Sequence, residues 1–340
     1  MKIVFLSYYS GEVNRGVEVF VAELSRRLSD RHEVKVISAA HQTDLPEFSK
    51  YRFGWRFYLD PAGLAVKRFT QKALLSLDPK TDILVPTNGG WQSFLSRLWA
   101  WRHGARVVIS GHAGIGWDDR INLLTRPDVF VALTQKQKTW AEKWSFGLRV
   151  EKIPDGVDLK EFRSQVKPVE TGLPKPLILC VAALEKDKRI DLTIEAVSRL
   201  NRGSLLVLGS GSEKDRLEKL GLERLGGRFR LLSVPHRKMP GFYAAADVFT
   251  MAPVETESFG MVYLEAMACG LPVVATNDPV RQEIVGEAGT LVDPKDVDQY
   301  VKTLETVLGK KWNNEPRKQA EKFSWDETVK KYDELFRSLK

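Results

Sequence analysis

The chain has 340 residues, 43% hydrophobic and 28% charged, which suits a soluble globular protein of two domains rather than one. No stretch approaches 18 uninterrupted apolar residues, which excludes a membrane-spanning helix, and Met1 to Leu6 is too short an apolar run for a signal peptide. The net charge is +8, of which about +7 falls in residues 1–165, so nucleic acid, anionic lipid and acidic substrates all stay open on charge alone. The two cysteines, Cys180 and Cys269, each in apolar surroundings, read as buried reduced thiols in a reducing cytosol.

In chain order, Lys2 to Ser7 predicts a strand, followed by a glycine-containing turn. A helix is then expected from Gly16, with Val17, Phe20, Val21, Leu24 and Leu28 on one face. This opens a Rossmann-type unit, but Gly11 and Gly16 do not make a G-x-G-x-x-G, which counts against a dinucleotide-dependent oxidoreductase. Glu33 to Ser38 reads as the second strand, residues 39–60 as irregular, and Pro61 to Leu77 as a helix. Basic and aromatic residues alternate between Lys50 and Lys72, including Arg52, Phe53, Trp55, Arg56, Phe57, Lys67 and Arg68, and again at Arg97, Trp99, Trp101, Arg102 and His103. Such clusters suit a lipid interface, stacked bases of a single strand, or a solvated face with half-buried rings.

Strands follow at Asp82 to Pro86 and at Arg106 to Ser110. The second runs into Gly111-His112-Ala113-Gly114, which sets the His112 imidazole at the carboxyl edge of a parallel sheet, where open α/β folds bind ligands. Asp118 and Asp119 come soon after, as acceptor-steering carboxylates or as charges of a helix start. Asp128 to Leu133, Gln135 to Trp144 and Val150 to Ile153 read as strand, helix and strand. Residues 163–176, with three prolines and one glycine, are expected to be the linker, giving domains 1–165 and 166–324. A helix is also expected from Trp325 to Leu339, with an apolar stripe that includes Tyr332, Leu335 and Phe336.

The second domain repeats the theme, with strands at Leu177 to Ala183, Leu205 to Leu208 and Leu231 to Pro235. Its most informative stretch starts with Asp247 to Met251, a short apolar run fit for a buried parallel strand. An acidic loop holding Glu257 follows; Gly260 opens a helix, Gly270 ends it, and Val273-Val274 begin another strand. Glu257 in the loop and Glu265 about a turn and a half into the helix are placed to face one crevice. The backbone N–H groups of Phe259, Gly260 and Met261 sit at the helix start, a place for an anionic group.

The run Glu257 to Val274, Glu-x7-Glu with Phe-Gly after the first Glu and then Glu-Ala-Met-Ala-Cys-Gly-x-Pro-Val-Val, resembles the retaining nucleotide-sugar glycosyltransferases of family 4, which have the GT-B fold. Arg15-Gly16-Val17-Glu18 is similar to the family's loop near the donor diphosphate, with Arg15 in place of a glycine. Pro154-Asp155-Gly156-Val157-Asp158 is similar to its Pro-Asn-Gly-Val-Asp, and Leu184, Lys188 and Asp191 match a further motif whose phosphate-binding Arg is Ala183 here.

The resemblance implies two Rossmann-like α/β domains across a cleft, the second binding the donor and the last helix, 325–340, returning to the first. It implies transfer of a sugar from a UDP- or GDP-type donor to an acceptor hydroxyl with retention, in glycan, polysaccharide or glycolipid synthesis. Glu265 would take the ribose hydroxyls, Glu257 the donor sugar, and the N–H groups of Phe259 and Gly260 the sugar and phosphate. Gly16 would approach the diphosphate, Lys188 would stabilise the leaving diphosphate, with Arg189 as a substitute for the missing Arg, and His112 would act at the sugar–acceptor junction. No obligate metal and no nucleic acid are implied; the acceptor is lipid-linked in one reading, with the enzyme cytoplasmic and peripheral on the inner membrane face. A nucleotide-sugar epimerase of the same fold and, behind it, a Rossmann-type oxidoreductase are the alternatives.

Overall fold

The computed structural model describes residues 1–11, 16–39, 61–255 and 257–340. The basic and aromatic run from Lys50 to Tyr58, Arg15 of the first loop, and Thr256 lie outside these residues. The chain forms two compact units, Met1–Asp155 with Trp325–Lys340, and Gly156–Ser324.

In the first unit six parallel strands, β1 (Lys2–Leu6), β2 (Glu33–Ile37), β3 (Ile83–Pro86), β4 (Arg106–Ser110), β5 (Val129–Ala132) and β6 (Arg149–Lys152), take the order β2-β1-β3-β4-β5-β6. The inner strands are near-continuous apolar runs because helices cover both faces of a parallel sheet, whereas β2, Glu-Val-Lys-Val-Ile, alternates and sits at an edge. The crossovers are α1 (Gly16–Leu28), α2 (Pro61–Leu75), α3 (Gly90–His103), α4 (Trp117–Leu124) and α5 (Gln135–Trp144). Phe20, Val21, Leu24 and Leu28 form the buried stripe of α1. The last helix of the chain belongs to this unit: Tyr332 lies 5.6 Å from the Phe20 ring and its hydroxyl donates to Ser110 Oγ, while Asp333 accepts from the His32 ring at 2.7 Å.

In the second unit β7 (Leu177–Val181), β8 (Ser204–Leu208), β9 (Phe229–Leu232), β10 (Val248–Met251), β11 (Val273–Thr276) and β12 (Gly289–Val292) are again parallel, in the order β12-β11-β10-β7-β8-β9. Its helices are α6 (Ile190–Ser198), α7 (Lys214–Leu225), α8 (Met239–Ala245), α9 (Met261–Ala268), α10 (Pro279–Val285), α11 (Val297–Gly309) and α12 (Glu315–Glu321); the final helix of the chain is α13 (Trp325–Arg337). Cys180 and Cys269 are free, buried thiols, pushed up to about 12 by burial. Among the described residues no helix is long and apolar enough to cross a membrane.

The boundary differs from the sequence expectation. The division falls at Asp155/Gly156, earlier than 165/166, and residues 163–176 lie along the second unit rather than forming a linker. Val157 pairs with Ser324, the Val169 N–H donates to Gly241 O, and the Arg317 guanidinium holds the carbonyls of Leu159 and Phe162. Proline-rich composition marks an absence of helix or ladder, but an extended segment can still satisfy its backbone on a neighbouring surface.

Candidate active site

The second sheet reverses its strand order between β7 and β10, and the loops leaving the carboxyl ends of these two strands flank that switch point. The β7 loop runs over the Gly209-Ser210-Gly211 turn so closely that a Cβ on Gly209 would stand 1.9 Å from Ala182 O, and one on Gly211 2.5 Å from Leu184 O. That glycine pair lets Leu184 donate to Ser210 O and brings the next turn, Lys186–Lys188, over the strand ends. Arg189 closes the turn in the left-handed region, φ 47°.

Lys188 Nζ forms an ion pair with Glu257 Oε2 and lies 3.5 Å from Asp187 Oδ2. The two predicted donor residues thus meet, with side chains 19% and 14% exposed. Arg189 has a different task from the one the resemblance implies. Its Nε donates to Ala252 O at 2.8 Å and its Nη2 to Pro253 O, so the guanidinium is spent on the carbonyls of the β10 loop rather than aimed at a phosphate. The left-handed backbone at this position turns the long side chain under the loop, which the sequence does not reveal.

A second arginine holds the far end of the same loop. Arg281 is fully buried, pairs with Asp278 through Nε at 2.7 Å, and donates from Nη1 to Glu257 O at 3.0 Å. Asp278 also caps α10 by accepting from the N–H groups of Val280 and Arg281. The chain from Ala252 to Glu257 is therefore gripped at both ends by guanidinium groups, one of them neutralised by its own carboxylate.

Glu265 is 6% exposed, on the first turns of α9, whose N-cap Gly260 has φ 88° and packs its α-carbon against Tyr263. Glu265 Oε1 lies 2.9 Å from His236 Nε2, and Oε2 accepts from the Tyr243 hydroxyl at 2.7 Å. An ionised carboxylate has about four lone-pair sites, so room remains for two hydroxyls of a ligand. The hydrogen bond to Glu265 raises the His236 pKa above its ordinary value against the opposing effect of burial. Burial first, and the Glu265 charge after it, raise Tyr243 well above the usual phenol range. Phe259, 2% exposed, packs against Phe323.

In the first unit a pocket of about 120 Å³ opens at the carboxyl ends of β3 and β4, lined by Asn88, Gly90, His112, Trp117, Asp118 and Asn122 among others. His112 Nε2 sits 3.1 Å from Asp155 Oδ1, and its ring lies 4.4 Å from Phe20. Burial works against the imidazolium, but the Asp155 carboxylate, helped by Asp119, outweighs it and raises the His112 pKa. Asp118 is exposed at the pocket.

Asp119, expected to meet an acceptor, is instead fully buried: Oδ1 accepts from Asn122 at 3.1 Å and Oδ2 from Gln137 at 2.9 Å, and burial pushes it up to about 7. Gln137 also donates to Gly111 O, so Asp119 supports the His112 loop from beneath. Helical spacing explains the split, since consecutive residues point about 100° apart and only one can face the pocket.

Gly16 starts α1 as expected. Asp296-Val297-Asp298 has the Asp-x-Asp spacing often used for metals, but Asp296 caps α11 through the Gln299 N–H and Asp298 pairs with Arg199. Among the described residues no group of His, Cys, Asp or Glu is clustered to hold a metal ion. Asp155, His236, Tyr243, Asp278 and Arg281 were not singled out from the sequence for the site. The only available signals were the placement of His236 just beyond a crevice strand and of Asp155 in a turn after β6.

Two Rossmann-like units with polar side chains gathered at the carboxyl edges of their sheets define the GT-B class of fold. The family model for glycosyl transferases group 1 matches residues 162–324, and that for glycosyltransferase family 4 matches residues 14–161. The chain belongs to glycosyltransferase family 4. It is 28% identical over 251 residues, 64% of each chain, to a GDP-mannose-dependent α-(1-6)-phosphatidylinositol monomannoside mannosyltransferase of Mycolicibacterium smegmatis. The first curated relatives are matched over less than two thirds of their length. Sucrose-phosphate synthase of Thermosynechococcus elongatus superposes with a TM-score of 0.79 at 21% identity, over 99% of this chain and 98% of the other. Anabaena HepE, solved with UDP and glucose, does so with a TM-score of 0.76 at 19% identity, over 99% and 100%.

Proposed function

We propose that this protein transfers a hexosyl group from a UDP- or GDP-type sugar to an acceptor hydroxyl, with retention at the anomeric carbon and without an obligate metal. The observation that carries the reading is the meeting of Lys188 and Glu257 at the β7/β10 switch point, one helical segment away from Glu265. In the reaction the bond from C1 to the diphosphate oxygen breaks, the diphosphate leaves with the electron pair, and the acceptor oxygen bonds C1 and passes its proton to the departing diphosphate.

Lys188 supplies the cation that offsets charge growing on the diphosphate, and its pairing with Glu257 holds it ready in the unliganded state. Glu257 then accepts from donor-sugar hydroxyls, with the N–H groups of Phe259 and Gly260 at the start of α9 seating sugar and phosphate. Glu265, oriented by His236 and Tyr243, accepts the ribose hydroxyls. Gly16, the first residue of α1, is assigned to the approach of the diphosphate. His112, held by Asp155, serves the sugar–acceptor junction, and Asp118 at the same pocket takes the acceptor. The relative named for a phosphatidylinositol mannoside supports a lipid-linked acceptor.

A thermal-shift panel of UDP, GDP and ADP sugars, with and without EDTA, tests the reading. Ligand that binds only the native state raises Tm by mass action, so one base should stand out. No shift with any of the three, or a shift abolished by EDTA, would contradict it.

A further inference from the structure

Helix α3 carries apolar side chains on two faces: Leu95 and Trp99 pack toward the core beside Ala100, and a second set faces outward. Its inward positions Gln92, Ser93, Ser96 and Ala100 are each 0% exposed, while Phe94, Leu98 and Trp101 are 53%, 54% and 78% exposed. The small and polar residues have work to do beneath the helix: Gln92 Oε1 accepts from the N–H groups of Thr87 and Asn88, and Ser93 donates to Asn122. The large apolar side chains stand at i, i+4 and i+7, one stripe about 11 Å long on the outer face. The outer face of an amphipathic helix in a soluble domain is polar, so this second apolar stripe stands out.

Charge gathers in the same stretch. Residues 61–152 contain fourteen Lys and Arg against seven Asp and Glu, almost the whole net charge of the chain. The same stretch contains most of the large hydrophobic residues that are exposed among the described ones; the second unit has only Val169 and Leu222. On α3 itself Arg102 is exposed beside Trp101, and Arg97 flanks Leu98 while reaching Asp128. On the adjoining α2, Lys67 lies 4.1 Å over the Trp91 ring.

We propose that the Phe94/Leu98/Trp101 face of α3 docks on an anionic lipid bilayer. Cations draw the unit to the negative surface and the short stripe inserts at headgroup depth, where aromatic rings and long basic side chains are both accommodated. A second copy of the chain is the less favoured occupant, because it would set two like-charged surfaces together. The proposal deepens the reading of a lipid-linked acceptor, on which it rests for its purpose but not for its observations.

Co-sedimentation of the full chain with vesicles tests it. Wild type binds phosphatidylglycerol-containing vesicles at low salt, is released as salt rises, and stays in solution with pure phosphatidylcholine. The variant Phe94→Ser/Leu98→Ser/Trp101→Ser keeps the Tm and the nucleotide-induced thermal shift of wild type and loses partitioning by about tenfold or more, equivalent to about 1.4 kcal/mol. Wild type remaining in the supernatant with anionic vesicles overturns the proposal, as does a triple variant that partitions like wild type. A triple variant that turns a dimer into a monomer by light scattering while still binding vesicles assigns the face to a second copy and overturns it too. Failure of the nucleotide shift in wild type would sink the glycosyltransferase reading and leave the vesicle result standing by itself.

Discussion

Lys188 and Glu257 form an ion pair although 69 residues separate them. The sheet order brings them together: β7 lies beside β10, so the loops at their carboxyl ends share one edge. The pair is partly buried, and the cation is positioned before any ligand arrives.

Lys188→Ala should lower turnover by about a hundredfold or more, since one preorganised donor at a charge-developing site is removed. Its effect on stability should stay within about 1 kcal/mol, because the pair is not fully buried. Steady-state rates and a thermal melt of the same preparation check both halves. Normal turnover would show that the diphosphate is held elsewhere.

Arg281→Met should behave in the opposite way. Removing a buried guanidinium leaves Asp278 without its partner and frees Glu257 O, at a cost of about 3–5 kcal/mol. Denaturant unfolding should place this variant well below Lys188→Ala. Equal stability of the two would mean that the grip on the β10 loop is not structural.

Glu265→Gln should weaken binding of the free nucleoside diphosphate, while Glu257→Gln should mainly impair transfer. An amide has one acceptor oxygen where the carboxylate has two, and the His236 and Tyr243 bonds already draw on that capacity. The His236 pKa should also fall toward its ordinary value in Glu265→Gln, because the hydrogen bond that raises it is weakened. NMR titration of the His236 ring and calorimetry of nucleotide binding report the two effects separately. An unchanged affinity would remove Glu265 from the ribose role.

Stability should fall as pH rises from the ordinary carboxylate range through about 7. Asp119 keeps its proton in the folded state until about 7, whereas the unfolded chain releases it earlier, so the native state binds more protons across that window. His112 acts in the same direction: its pKa is raised in the folded state, so its contribution is full below about 6.5 and is lost as pH rises through the raised value. Asp119→Asn should flatten the part of the decline below about 7, by at most about 4 kcal/mol. Urea midpoints across pH for wild type and variant decide it; parallel curves would contradict the assignment.

Much of the fold was legible because the inner strands of a parallel sheet are short apolar runs that alternate with helical spacing, whereas the edge strand β12, Gly-Thr-Leu-Val and only partly buried, carries no such signal. Glu257 and Glu265 were legible because one loop and one helix carry both. Residues whose meaning depends on distant partners were not. His236 finds Glu265 29 residues away, Arg281 finds Glu257 24 residues away, and His112 finds Asp155 43 residues away. The placement of Arg189 is hidden for a related reason: its charge suggests phosphate, but its left-handed backbone sends the guanidinium to two carbonyls. The linker was placed by composition, which does not report the hydrogen bonds an extended segment makes. The outward stripe of α3 is hidden in the sequence because apolar residues stand on both its faces, and composition does not say which face each occupies.

The most direct test of the donor site is titration calorimetry of the wild type with UDP-, GDP- and ADP-sugars and with NAD, repeated on Glu265→Gln. The account predicts that one class of nucleoside-diphosphate sugar binds wild type, that its affinity falls in Glu265→Gln, and that NAD gives no heat. Binding of NAD in place of every nucleotide sugar, or equal affinity of both proteins for the sugar nucleotide, would contradict it.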